Sequence, residues 1–165
     1  MLVLGIDPGL ATTGYGLVRE DRGGLQAIAY GVVRTPAKRP LAERLQKIYR
    51  ELGTIVQKYR PDESAVEELF FSRNVRTAMQ VGQARGVALL ALAEAGLEVV
   101  EYTPLTIKEA TTGFGGADKS QMQNMVKILL NLDEIPRPDD AADALAVAIC
   151  HLHSARLNRA VRHSQ

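Results

Sequence analysis

The chain has 165 residues, 46% of them hydrophobic and 24% charged, which is long enough for one domain with a sizeable core and too ordinary for a disordered, collagenous or coiled-coil protein. A net charge of +1 means that a polyanion partner has to be argued from where charges lie and not from bulk electrostatics. One cysteine, Cys150, excludes an intrachain disulfide, a cysteine zinc cluster and a Cys-x-x-Cys redox pair, and points to a reducing cytoplasm. The N-terminus lacks a basic segment followed by a long apolar one, and apolar runs such as Val87 to Ala93 are far too short to cross a bilayer, so a soluble, unexported chain with no membrane partner is expected.

Leu2 to Asp7 reads as a buried strand broken by Pro8-Gly9, and Thr13 to Val18 and Ala27 to Val33 read as two more strands joined by a turn over Glu20 to Gly24. Leu41, Leu45, Ile48, Leu52, Ile55 and Val56 repeat with a helical period, predicting an amphipathic helix from Leu41 to Tyr59 with Pro40 at its start. Pro61-Asp62 ends it. A fourth strand is expected over Ser64 to Phe70, a long helix over about Val75 to Ala95 and a fifth strand over Glu98 to Tyr102. The rest reads as helical, around Thr106 to Thr111, from about Lys119 to Leu130 and from about Asp140 to Leu157, with a Gly-rich loop over Gly113 to Gly116. No repeat or linker divides the chain, so residues 1–165 are read as one α/β domain, with about 158–165 as a flexible tail.

With no plausible histidine pair for a metal, the carboxylates are the candidates for chemistry. Asp7 ends its strand on the face shared with Val3 and Gly5, where it serves equally well as an ion ligand or as a turn-former before Pro8-Gly9. Glu67 and Glu68 interrupt an apolar strand and point to opposite faces, and the sequence does not say which faces inward. In Asp139-Asp140-Ala141-Ala142-Asp143, the i, i+3 spacing of Asp140 and Asp143 puts both carboxylates on one face of a helical first turn, able to converge on one cation, and Asp139 with Asp143 at i, i+4 does the same. Helix capping explains one or two of these acids without a metal, but Asp143 less well, because it lies beside the apolar stripe Ala142, Leu145, Ala146 and Ile149.

Basic residues cluster in two acid-free stretches, one with Arg73, Arg76 and Arg85 and one with Arg156, Arg159 and Arg162; each is a solvated helix surface or a face for phosphates. Gly113 to Ser120 resembles a phosphate-binding loop, but Asp118 stands where the second glycine belongs and no strand directly precedes it, so a nucleotide loop is rejected. Asp118 with Gln121 reads instead as a helix capping box, and Lys119 as a solvated lysine or a point charge for phosphate.

Five ordered blocks carry a resemblance that spans essentially the whole chain: Gly5-Ile6-Asp7-Pro8-Gly9 with Thr13-Gly14-Tyr15-Gly16, Val66 to Phe70, Gly82 to Ala88, Asp118 to Gln121, and Asp140 to Ala146. Together they resemble the RuvC family of bacterial Holliday junction resolvases, within the ribonuclease H-like superfamily. The resemblance implies a mixed five-stranded sheet, an antiparallel three-stranded meander plus two parallel strands, flanked by helices. It also implies an endonuclease that resolves four-way DNA junctions by paired, symmetric, metal-dependent cuts leaving 5′-phosphate and 3′-hydroxyl ends, in recombination and repair. By the same likeness Asp7, Glu67, Asp140 and Asp143 are the metal-binding catalytic carboxylates, holding two Mg²⁺ or Mn²⁺ ions. Lys119 and Lys108 match lysines that face the DNA, and Phe70 matches an aromatic that stacks on bases; Arg73 and Arg76 are added here as DNA-binding candidates.

A junction has approximate two-fold symmetry, so a homodimer with one site per subunit is expected. The segment Ala84 to Ala93, apolar nearly all round apart from Arg85, supplies an independent reason for a partner surface. The family also implies a branch-migration motor of the RuvA–RuvB type as partner. The competing readings are a related nuclease acting on structured RNA, a junction-binding protein without catalysis, and an actin-like kinase, the last disfavoured because the chain lacks a second lobe.

Overall fold

The computed structural model of the chain describes residues 1–68 and 75–162, with side chains up to Ala155. Strands β1 (Leu2–Asp7), β2 (Thr12–Asp21) and β3 (Gly24–Arg34) form the meander, α1 (Leu41–Tyr59) leads to β4 (Glu63–Glu67), and α2 (Val75–Glu94) leads to β5 (Val99–Tyr102). Helices α3 (Pro104–Thr112), α4 (Lys119–Leu129) and α5 (Asp139–Arg162) follow. The sheet order is β3-β2-β1-β4-β5. β1 pairs antiparallel with β2, and β2 with β3, while β4 lies parallel to both β1 and β5. The expected mixed five-stranded architecture is therefore present.

Strand alternation divides the core in two. Leu2, Leu4, Ile6, Leu17, Val33 and Val66 turn to the face covered by α1 and α2, where Ile48, Leu52, Ala88 and Leu92 meet them. Val3, Val18 and Ala65 turn to the other face, against Leu145, Ala146, Ile149 and Leu152 of α5, with α3 and α4 packed outside. Among the described residues no helix is long and apolar enough to cross a membrane.

Element ends differ from expectation in several places. The β2–β3 turn is shorter than predicted, because Asp21 Oδ1 accepts a hydrogen bond from the Gly23 amide and pairing persists to Asp21 and Gly24. Leu41, expected in the core stripe of α1, is 39% exposed as the first residue of the helix. β4 stops at Glu67, so the expected extension is cut short, and Phe70 falls outside the described residues. α5 continues to Arg162, past its expected end near Leu157 and through the start of the expected tail. The capping box at Asp118 is found as predicted: Asp118 accepts from the Gln121 amide and Gln121 Oε1 accepts from the Asp118 amide, each at 2.8 Å.

Candidate active site

Parallel pairing of β1 with β4 ends at Ile6 and Val66, so the next residues, Asp7 and Glu67, leave adjacent strands at the same level. Both are in phase with the strand residues that face α5, Asp7 with Val3 and Glu67 with Ala65. Glu67 is therefore the inward member of the Glu67-Glu68 pair; the Glu68 amide instead donates to the Tyr102 carbonyl. Sites at the carboxyl ends of parallel strands are a recurrent feature of α/β sheets, because side chains there meet solvent while the backbone stays paired.

What brings Asp140 and Asp143 to these strand ends is a seam of small residues. Gly5 and Gly16 are register partners on β1 and β2, and Gly14 is the partner of Asp7. A Cβ on Gly5 would overlap the Ala144 carbonyl, one on Gly16 would lie 2.7 Å from the Leu145 amide nitrogen, and one on Gly14 would overlap the Asp140 carbonyl. The backbone of α5 thus rests directly on the backbone of β1 and β2, with Ala141, Ala144 and Ala148 wholly buried beneath it. Further along, His151 bonds Glu63 on β4 and the Tyr102 hydroxyl on β5, which ties α5 to the parallel half of the sheet. Neither the glycine seam nor this polar tie is among the sequence-predicted site features. The signal for the seam was present, as glycines at period two in strands that must pair, facing the alanine-rich turn pattern of α5.

The electrostatics are those of crowded, partly buried anions. Burial, reinforced by Glu67, Asp143 and Asp140, pushes the Asp7 carboxyl up to about 8, and its proton is shared in a hydrogen bond to Glu67. Burial also raises Glu67, against the hydrogen bond from Asp7 and the opposing charges of Lys108 and Lys119. Asp143 is raised by burial, opposed by Lys119 and reinforced by Asp140 and Asp139. Lys119 loses solvation, but Asp143 and Asp139 outweigh this and raise its pKa above that of an ordinary lysine. Its Nζ lies 3.3 Å from Asp143 and 3.5 Å from Asp139. Asp139, left open between capping and metal binding, pairs with Arg137 Nη1 at 3.0 Å as well as with Lys119.

The expected residues thus separate as follows. Asp7, Glu67, Asp140, Asp143, Lys119 and Lys108 share one electrostatic neighbourhood. Arg76 is exposed in the first turn of α2, and Phe70 and Arg73 lie outside the described residues. Arg85, counted with the phosphate-facing arginines, is instead partly buried and ion-paired to Glu101 of β5. Among the described residues no group of three or more His, Cys, Asp or Glu side chains is arranged to hold a metal as it stands. Asp7 and Glu67 share a proton and Asp143 is turned to Lys119, which is how crowded carboxylates relieve like-charge repulsion. As a donor set, four carboxylates offer hard anionic oxygens, which fit Mg²⁺ or Mn²⁺ better than softer ions. A groove of about 1040 Å³ lies elsewhere, between α1 and α2 beside Arg60, Pro61 and Leu97, at the amino ends of β4 and β5.

The sequence pattern of the family described as crossover junction endodeoxyribonuclease RuvC matches residues 3–151. A RuvC from Syntrophomonas wolfei is 57% identical over 96% of this chain and 92% of its own length. One from Chloroflexus aurantiacus is 59% identical over 94% of each. Among solved structures, T. thermophilus RuvC in complex with a Holliday junction substrate is 37% identical with a TM-score of 0.87, covering 95% of this chain and 96% of that one. The yeast mitochondrial Holliday junction resolvase Ydc2, at 16% identity and a TM-score of 0.69 over 95% of this chain and 80% of that one, shares the fold. Matched along nearly its full length, the chain belongs to the RuvC family of crossover junction endodeoxyribonucleases.

Proposed function

We propose that this chain resolves four-way DNA junctions by metal-dependent hydrolysis of one phosphodiester bond per subunit. The observation that carries the reading is the meeting of carboxylates from three separate elements, Asp7 of β1, Glu67 of β4, and Asp140 and Asp143 of α5, at the carboxyl ends of the neighbouring parallel strands β1 and β4. Such a cluster is costly for folding unless cations use it. Asp7, Glu67, Asp140 and Asp143 would hold divalent ions, Mg²⁺ or Mn²⁺ and two per site, which when bound supply an activated water and stabilise the departing 3′ oxygen. Asp7 contributes the central carboxylate, since Glu67, Asp143 and Asp140 all raise it. Glu67 is held for its role by the β4–β5 pairing beneath it. Lys119, 57% exposed and already reaching Asp143, is placed to turn its ammonium from the carboxylates to a phosphate when cations arrive, and Lys108 adds positive charge on the same flank. The ends left would be a 5′-phosphate and a 3′-hydroxyl, which a ligase can seal. Phe70, Arg73 and Arg76 complete the proposed DNA contacts, in one cytoplasmic domain that works with a branch-migration motor of the RuvA–RuvB type.

The test is cleavage of a labelled synthetic four-way junction beside linear duplex and structured RNA. Symmetric, ligatable nicks in the junction alone, abolished by EDTA and restored by Mg²⁺ or Mn²⁺, are expected. Cutting of RNA or plain duplex in preference overturns the substrate assignment, and tight junction binding with no cutting under either metal overturns the catalytic one.

The junction's two-fold symmetry calls for two sites, and α2 supports a second copy as the source of the other one. Val75, Met79, Gly86, Leu90 and Ala93 fall on one stripe of that helix and all are exposed, with Leu90 at 52% and Met79 at 62%. A Cβ on Gly86 would meet nothing, so there is room for a close helix partner. Leu90→Lys is expected to turn a two-chain species into a one-chain species by light scattering at about 10 μM, with the helix and strand content unchanged by circular dichroism and the melting temperature lowered to that of the dissociated chain, and to replace paired incisions by single nicks. Wild type that is monomeric where it cleaves, or a variant that stays dimeric, sinks this arrangement.

A further inference from the structure

Beside Asp140, Arg34, Arg137, Pro138, Asp139 and Asp140 line an open notch of about 620 Å³ that the proposed mechanism leaves unused. Arg34 ends β3 as the register partner of Thr12, two strands from Asp7, so the lines of β3 and β1 are roughly 10 Å apart. Its neighbour Val33 is buried in the core under α1 and α2, so alternation turns Arg34 to the α5 face, the face of the carboxylates. Arg34 is exposed and makes no ion pair among the described residues. Arg137 is tied to Asp139 through Nη1, and Lys119 takes up the other Asp139 oxygen, so Asp139 is already answered without Arg34.

A nucleic acid strand crossing four carboxylates needs positive charge on both sides of them. On the α3–α4 side Lys108 and Lys119 supply it. On the β3 side the described residues that face the notch with positive charge are Arg34 and Arg137. We infer that Arg34 binds the backbone phosphate flanking the scissile one, with the Arg137 guanidinium as the second wall of that phosphate subsite. A planar guanidinium fork suits a phosphodiester's two free oxygens, and an anion there fixes where along the strand the reacting bond falls. The inference rests on the junction-cleaving reading of the carboxylate site.

The experiment is fluorescence-anisotropy binding of a four-way junction in EDTA across a salt series, for wild type, Arg34→Ala, Arg34→Lys and, as a control in the distant α1–α2 groove, Arg50→Ala. The slope of log affinity against log salt should fall by about 0.9 for each Arg34 engaged, so by about 1.8 for a dimer on one junction. At about 0.1 M salt the affinity of Arg34→Ala should drop roughly fivefold per contact. Arg34→Lys should keep the slope and Arg50→Ala should match wild type. With Mg²⁺, Arg34→Ala should raise KM while kcat stays within about twofold, as expected when a contact is equal in ground and transition states. An unchanged slope in Arg34→Ala, or an equal loss in Arg50→Ala, overturns the subsite. If wild type itself neither binds nor cuts the junction, the reading of the carboxylate site falls and takes the subsite with it.

Discussion

Asp7→Asn is expected to lower junction cleavage by at least about 10³-fold while leaving junction binding intact and making the metal-free protein more stable. The first effect follows from position, since Asp7 is the carboxylate that touches the field of all three others. Metal-assisted charge stabilisation is worth several kcal/mol, at about 1.4 kcal/mol per decade of rate, and the neutral amide is a far weaker ligand. The second effect follows from the same crowding. Asp7's carboxyl is raised to about 8 by burial and by its acidic neighbours, against an ordinary value of 3.8. A raised carboxylate pKa means the folded chain binds the proton more tightly than the unfolded one, so this group's contribution to stability falls as pH rises from about 4 to about 8 and is level beyond. Asparagine does not titrate, and its amide can donate to Glu67 as the protonated Asp7 does. In EDTA at pH 8 the variant should therefore melt a few degrees above wild type, for a gain on the order of 2 kcal/mol, and the two should converge near pH 4. Adding Mg²⁺ should raise the melting temperature of wild type but not of the variant, because only the former gains a ligand for the folded state. A variant that cleaves like wild type removes Asp7 from the chemistry, and one that melts lower at pH 8 removes the claim that these carboxylates repel one another.

Periodicity read the architecture well because it is a local signal with a strong physical cause. The continuous apolar run of β1 arises from burial on both faces of the sheet and the helical stripe of α1 from a single buried face, and both elements were legible to within a residue or so. The capping box at Asp118 was equally legible, since a side chain and a backbone amide three residues apart need no tertiary partner. The β2–β3 turn was not, because Asp21 can end a strand or close a tight hairpin, and its bond to Gly23 decided for the hairpin. Asp7, Glu67, Asp140 and Asp143 stood out as odd polar residues at element ends, but their meeting depends on how α5 crosses β1 and β2. Glu67 over Glu68 was settled only by the register of β4 against β1, a long-range property that no window of sequence contains. Lys119's role as counter-ion to Asp143 likewise needs α4 and α5 side by side. Arg34 escaped notice because an arginine at a strand end is ordinary until the strand's neighbours are known.

Gly14→Ala tests whether the glycine seam sets the site, and it should cost at least about 100-fold in cleavage rate. The added Cβ would overlap the Asp140 carbonyl oxygen and lie 2.6 Å from its carbon. Neither atom is the end of a flexible side chain, so relief has to come from moving the first turn of α5 away from β2 by about 1 Å or more. That turn carries Asp140 and, one turn on, Asp143, while Asp7 stays with β1 as the register partner of residue 14. The variant therefore opens the gap between the two halves of the carboxylate set, and a misplacement of about 1 Å is enough for a loss of that size. Overpacking should also lower stability by about 1–3 kcal/mol, leaving the chain folded at 25 °C if its stability is typical of a domain. Gly53→Ala is the matched control: it sits within α1, a Cβ there would meet nothing within 4 Å, and replacing a helical glycine should be neutral or stabilise by up to about 1 kcal/mol with unchanged cleavage. Binding of Mn²⁺ measured calorimetrically separates the causes, since a displaced α5 should weaken metal affinity in Gly14→Ala, whereas a merely less stable scaffold should bind Mn²⁺ as wild type does below its melting range. A folded Gly14→Ala protein that cuts junctions at the wild-type rate would mean that α5 finds its place by the His151 tie and the alanine packing alone, and that the close backbone approach at Gly14 is not what aligns the acids.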